Sequence, residues 1–150
     1  MRAVVQRVRN ARVTVDSAVT GSIGLGLLVY LGVCDSDTEE ICAKLASKIA
    51  RMRIFQDAEK KMNLSVSDVG GDVLVVSQFT LYASMKKGNR PSFDGAGRPD
   101  LADKLYEFFM EELRKLGLRV EHGIFGAHMH VEYENDGPVT ILVDSDELFN

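Results

Sequence analysis

The chain has 150 residues, 45% hydrophobic and 27% charged, with a formal net charge of −4. A chain of this length buries about 70% of the surface its unfolded form exposes, so its core needs no disulfide or metal staple, and length predicts one domain over residues 1–150. The acidic total gives no global basic excess of the kind that marks nucleic-acid or membrane binders.

Residues 3–8 and 11–15 are rich in valine and alternate with polar residues, and Arg9-Asn10 between them predicts an N-terminal hairpin. Gly21, Gly24 and Gly26 punctuate a short strand, and the apolar run 27–33 predicts a buried one. The glycines are turn glycines, since no Lys-Ser/Thr pair or helix follows to make a phosphate loop. From Thr38 the period changes. Ile41, Leu45, Ile49 and Met52 recur at helical spacing behind a Thr38 cap and the acidic first turn Glu39-Glu40. Residues 57–63 are polar connection, and 73–81 predict a strand, almost wholly apolar until Ser77. Residues 83–99 hold Gly88, Pro91, Gly95, Gly97 and Pro99 among four basic residues, a long loop of the sort that often carries function. A second helix is predicted from Pro99 to Leu116, with Leu101, Leu105, Phe108, Phe109 and Leu113 on one stripe and Gly117 after its end. Strands 119–122, 128–133 and 139–143 complete the chain, the last two joined by a turn at 134–138.

Cys34 and Cys42 lack CxxC spacing, which predicts buried reduced thiols. The N-terminus interleaves arginine with valine and lacks the apolar run of a signal peptide, and no segment reaches membrane-spanning length. These features predict a cytoplasmic protein.

Three groups of residues stand out chemically. Ser77, Gln78 and Thr80 gather at the end of a buried strand, where polar side chains must be hydrogen-bonded or cost stability. On a strand, Gln78 and Thr80 share one face and Ser77 and Phe79 the other. Both a strand-end cap and a reactive site fit this group, and no GxSxG elbow presents a nucleophilic serine. In 135–140, Asp136-Gly137 suits a hairpin turn and Pro138 opens the next strand without a ladder donor. The isomer of the Gly137-Pro138 bond is open, with trans the commoner state. His122, His128 and His130 allow a metal site to be drawn, but no Asp or Cys lies at ligand spacing, so no metal or cofactor is expected.

The third group is basic. Residues 1–90 carry 13 Lys and Arg against 9 Asp and Glu, whereas residues 91–150 carry 5 against 13, so the net charge is a cancellation. Lys86, Lys87 and Arg90 follow the 77–81 segment directly, and Arg2, Arg7, Arg9 and Arg12 crowd the first hairpin. Either set suits phosphates or a solvated face. Few aromatic residues accompany them, so stacking on single-stranded bases is not indicated.

Taken together, Met1-Arg2-Ala3-Val4-Val5-Gln6-Arg7-Val8, Ser77-Gln78-Phe79-Thr80-Leu81, Gly88-Asn89-Arg90-Pro91-Ser92-Phe93 and Asn135-Asp136-Gly137-Pro138-Val139-Thr140 resemble the D-aminoacyl-tRNA deacylases over the whole chain. The resemblance implies an α+β fold with mainly antiparallel sheets forming a barrel-like core, two principal helices packed outside, and a homodimer with sites at its interface. It implies hydrolysis of the ester between a D-amino acid and the 3′ end of tRNA, and removal of glycine from mischarged tRNA-Ala, with no cofactor and no membrane partner. Ser77, Gln78, Phe79 and Thr80 would line the adenosine and the scissile ester, with the Phe79 N–H as oxyanion donor and Thr80 as an older nucleophile candidate. Gly137-Pro138 would enter the partner's pocket as a cis dipeptide whose carbonyls hold the substrate amino group and exclude an L side chain. Arg7 would brace that turn, Met129 would line the pocket, and Lys86, Lys87 and Arg90 would contact tRNA. The residues themselves leave two other readings open: a small-molecule esterase using Thr80 or Ser77, and a non-catalytic RNA-binding domain.

Overall fold

A computed structural model describes all of residues 1–150. Its organising element is β1 (Arg2–Val15), one continuous strand where a hairpin was expected. Residues 2–8 pair antiparallel with β3 (Gly26–Gly32), residues 11–15 with β2 (Ala18–Ile23), and the opposite edge pairs along its length with β8 (His130–Asp144). Asn10 pairs with Glu134, and pairing on both edges at Val8 and Ala11 carries the strand through Arg9-Asn10 without a reversal. The break in alternation is absorbed by bulges between Gln6 and Val8 and between Val8 and Asn10, which insert residues without reversing the chain. The reversal comes later, at Asp16 and Ser17, whose φ of 48° and 66° make a tight hairpin turn into β2.

The parallel strands β6 (Asp72–Ser77) and β7 (Val120–His122) complete a six-stranded sheet in the order β2-β1-β3-β6-β7, with β8 on β1. A Cβ on Gly21 would lie 2.5 Å from the His122 carbonyl oxygen, so glycine there lets β2 close on β7 and curls the sheet into a near-barrel. Residues predicted as plain connection carry a small hairpin, β4 (Phe55–Gln56) and β5 (Met62–Leu64). Outside the barrel pack α1 (Glu39–Ala50) and α2 (Pro99–Lys115), and a short α3 (Ser145–Phe149) ends the chain. Thr38 Oγ1 accepts the Ile41 N–H at 3.2 Å as the predicted cap, and Gly117 follows α2 at φ +86°.

Strand alternation sorts the core. Ala3, Val5, Leu27, Val29, Val73 and Val75 face the helices and meet Leu45, Ile49, Leu105, Phe109 and Leu113, while Val8, Val13, Leu28 and Leu74 fill the barrel. Each of these valine, leucine, isoleucine and phenylalanine side chains contributes about 1.5–3 kcal/mol by leaving water. Leu101 and Phe108, expected on the buried stripe of α2, sit at its margin, and Tyr106 and Met110 are buried instead. The Met1 ammonium is buried between Asp37 Oδ1 at 2.6 Å and Ser145 Oγ at 2.7 Å, which ties β1 to the loop after β3 and to α3. Cys42 is buried as expected, and burial pushes its thiol up to about 12. Cys34 is only half-buried, because it opens the turn that closes with the Asp37 N–H donating to the Cys34 carbonyl.

Two corrections bear on function. β6 ends at Ser77, where its pairing with β3 ends at Leu31 and Ser77, and residues 79–82 then wind into a 3₁₀ turn rather than continuing the strand. The alternation expected for Ser77 to Thr80 therefore does not hold. Residues 134–138 are likewise not a hairpin turn between two strands. They lie within one 15-residue strand, β8, which pairs with β1 on both sides of an unpaired bulge at 136–139.

Candidate active site

A cavity of about 500 Å³ opens where β3 and β6 end. Leu31, Val33, Val76, Ser77, Gln78 and Phe79 form one wall, Pro99, Ala102 and Tyr106 of α2 a second, and the 125–129 loop with Val131 of β8 a third. The lining is mostly apolar with a few polar groups, the usual constitution of a small-molecule site. The Tyr106 O–H donates to the Val75 carbonyl at 3.0 Å, and burial raises that phenol, so it stays protonated and fixed. Phe79 is 57% exposed at the mouth, edge-on to Phe93 with ring centroids 5.0 Å apart.

Of the residues expected at the reaction, Ser77, Gln78, Phe79 and Met129 line this cavity. Thr80 is exposed and lies outside the cavity lining, its hydroxyl accepting from the Gln78 amide. Neither Ser77 nor Thr80 is hydrogen-bonded by a histidine or a carboxylate, so no side chain is set to take a proton from either hydroxyl. Phe79 opens the 3₁₀ turn, and Gln78 before it supplies no side-chain acceptor to the first N–H groups of that turn. His128 also lines the cavity, with its ring 5.2 Å from that of His130, while His122 Nδ1 donates to the Gly123 carbonyl at 2.6 Å. The three histidines do not converge.

A second constellation sits on β8. Asn135 pairs with Val8 and Thr140 with Gln6, so residues 136–139 bulge out opposite Arg7 alone. Arg7 is 5% exposed. Its Nε donates to the Asp136 carbonyl at 3.0 Å and its Nη1 to the Ile54 carbonyl at 2.6 Å. Asn135 closes the bulge from inside, accepting the Val139 N–H at 2.8 Å and donating to Thr140 Oγ1 at 3.0 Å. Gly137 has φ +139°, a conformation L residues rarely adopt, and the Gly137-Pro138 peptide is cis. Both residues are exposed and neither lines the cavity of its own chain. Six residues of strand, about 20 Å, separate Gly137 from Val131 at the cavity wall.

The basic loop lies beside the mouth. Ser84 and Ser92 pair as an isolated bridge, which holds Lys86, Lys87 and Arg90 in an exposed tip next to Phe93. Sequence reasoning missed Tyr106, Phe125 and His128 as cavity residues and Asn135 as a brace. For Asn135 the available signal was a side-chain amide directly before a turn, a residue type that bonds its own backbone. The others come from distant segments and leave no local mark.

The sequence model of the family described as D-Tyr-tRNA(Tyr) deacylase matches residues 4–144. The D-aminoacyl-tRNA deacylase of Koribacter versatilis (strain Ellin345) is 59% identical over 149 residues, covering 99% of this chain and 100% of that protein. That of Thermotoga petrophila is 58% identical over the same length, with the same coverage. Among solved structures, one titled c-Myc DNA Unwinding Element Binding Protein superposes with TM-score 0.90 at 42% identity over 96% of this chain and 98% of its own. A probable eukaryotic D-amino acid tRNA deacylase shares the fold at TM-score 0.82 and 21% identity, over 95% of this chain and 97% of its own. With near-complete coverage at such identity, the chain belongs to the D-Tyr-tRNA(Tyr) deacylase family.

Proposed function

We propose that this chain, as one domain over residues 1–150, hydrolyses the ester joining a D-amino acid to the 3′-terminal adenosine of tRNA, and glycine mischarged on tRNA-Ala in the same way. The observation that carries the reading is the cavity of about 500 Å³ with Ser77, Gln78 and Phe79 on its wall, in a chain of this family. An aminoacyl ester is already activated, so positioning, an oxyanion donor and a held water suffice. The Phe79 N–H is the oxyanion donor in this reading. Water attacks the carbonyl carbon, the bond to the ribose 3′-oxygen breaks, and that oxygen takes a proton as it leaves. The absence of a paired base at Ser77 and Thr80 supports assistance by the substrate's own 2′-hydroxyl.

Chiral selection comes, in the same proposal, from a partner subunit. The Gly137-Pro138 bulge faces outward and is braced by Arg7, so it suits insertion into a second copy's cavity, with its carbonyls on the substrate amino group. Dimer formation is favoured by Leu142, 80% exposed on β8, a strand whose second edge is unpaired. Met129 lines the receiving cavity, and Lys86, Lys87 and Arg90 contact tRNA phosphates at its mouth. No helix is long and apolar enough to cross a membrane, and tRNA as substrate fits action in the cytoplasm.

The test is single-turnover deacylation of D-aminoacyl-tRNA by the wild type and by Thr80→Ala. The wild type hydrolyses the ester and Thr80→Ala keeps most of the rate. A wild type without activity contradicts the reading, and a loss on the order of 10³-fold in Thr80→Ala with intact tRNA binding makes Thr80 the nucleophile.

A further inference from the structure

Eleven of the 18 Lys and Arg side chains lie within ion-pair distance of a carboxylate. Lys44, Arg98, Lys104, Arg114 and Arg119, for example, each lie within 4.0 Å of a carboxylate. Two runs break the pattern. Lys86, Lys87 and Arg90 are one, on the loop beside the cavity. Lys48, Arg51, Arg53 and Lys60 are the other, and none of these four makes an ion pair although all are exposed. In a chain of net charge −4, with carboxylates in excess, unpaired cations collected in two segments mark places where an external anion can supply the missing charge.

The second run borders a groove of about 630 Å³ on the outer side of α1, lined by Lys44, Ser47, Lys48 and Arg51 with Met52 and Phe149. Lys48 and Arg51, both unpaired, line it with Ser47 and with Lys44, which Glu40 already pairs at 2.8 Å, and no acidic side chain lines it. Its position is tied to the candidate active site through the backbone. Three residues beyond Arg51, the Ile54 carbonyl accepts from Arg7 Nη1, and Arg7 Nε holds the Asp136 carbonyl at the base of the 136–139 bulge. Arg53 directly precedes Ile54, so the basic run 48–53 leads from the groove to the residue that shares Arg7 with the base of the bulge. The loop 84–92 lies beside the mouth of its own chain's cavity.

We infer that the groove of Lys44, Ser47, Lys48 and Arg51, with Arg53 beside it, is a second phosphate-backbone contact for the RNA whose 3′ end occupies the cavity. The inference rests on the proposed deacylation of tRNA and on the cross-subunit placing of the bulge. A polyanion with its end in the cavity passes two free cationic runs, one from each subunit, and each phosphate neutralised releases counterions.

The experiment compares the wild-type protein with Lys48→Glu/Arg51→Glu. Binding of uncharged tRNA is measured across a salt series, and turnover of a D-aminoacyl ester of adenosine reads the cavity chemistry in the same samples. The expected result is at least tenfold weaker tRNA binding and a slope of log affinity against log salt shallower by about two, one per cation. Hydrolysis of the adenosine ester and the melting temperature stay at wild-type values. Unchanged tRNA affinity and slope overturn the groove as an RNA contact even when deacylation is intact, and leave an acidic protein as its occupant. A wild type that binds tRNA yet cleaves neither ester overturns the functional reading itself. A variant whose adenosine-ester turnover falls as far as its tRNA binding overturns the inference too, since the substitution then acts on the fold.

Discussion

Arg7→Ala lowers kcat/KM for D-aminoacyl-tRNA by about 100-fold, the scale on which an ångström of misplacement acts. It also lowers the melting temperature. Arg7 is a buried cation whose guanidinium donates to the carbonyls of Ile54 and Asp136. Hydrogen bonds from a charged donor contribute about 1.5–3 kcal/mol each, and truncation also leaves two carbonyls without partners. A loss of about 3–5 kcal/mol corresponds to a fall of roughly 6–20 °C for a domain of this length. Arg7→Lys recovers only part of either effect, because one ammonium cannot replace a planar fork reaching two carbonyls in different segments. The melting curve and the deacylation rate must move together. A variant that keeps full activity while losing stability removes Arg7 from the positioning of the bulge.

Gly137→Ala acts on the bulge itself and leaves the hydrogen-bonding groups of its Arg7 brace in place. The added Cβ would lie 2.8 Å from Val139 Cγ2 and 3.1 Å from Arg7 Nη2, in a backbone conformation of φ +139° that alanine resists. Strain of this kind costs about 1–3 kcal/mol and is relieved by turning the peptide. The carbonyl directions then change. The expected result is a loss of about 100-fold in deacylation of D-aminoacyl-tRNA. A reduced ratio of D to L cleavage accompanies it, while uncharged tRNA binds as before. An unchanged rate and an unchanged ratio would show that the bulge takes no part in selecting the substrate.

How much of this was legible in the sequence depended on the range of the interactions involved. Both long helices were readable because caps and apolar spacing are local: Thr38 bonds the Ile41 N–H, and Pro99 and Gly117 bracket α2. The strands on either side of the bulge were misread because the deciding interactions are distant. Arg9-Asn10 and 134–138 carry turn-like residues, yet β1 and β8 pair on both sides of each, so neither reverses the chain and the extra residues at 136–139 form a bulge. The end of β6 follows from the end of β3, which no window around Ser77 contains. The candidate site shows the same division. Ser77, Gln78 and Phe79 were legible as a polar cluster ending an apolar strand, whereas Tyr106 and Phe125 reach the cavity through α2 and the loop before β8. The split of charge along the chain was visible, but the unpaired cations were not, since pairing joins residues as far apart as Arg2 and Asp144.

The central claim is a chiral deacylation performed by main-chain geometry, and one measurement meets it directly. tRNA charged with the D and the L enantiomer of the same amino acid is incubated with the protein at equal concentration, and release of the amino acid is followed for both. The account predicts rapid release from the D-aminoacyl-tRNA and none above the uncatalysed rate from the L-aminoacyl-tRNA. Equal cleavage of the two contradicts it.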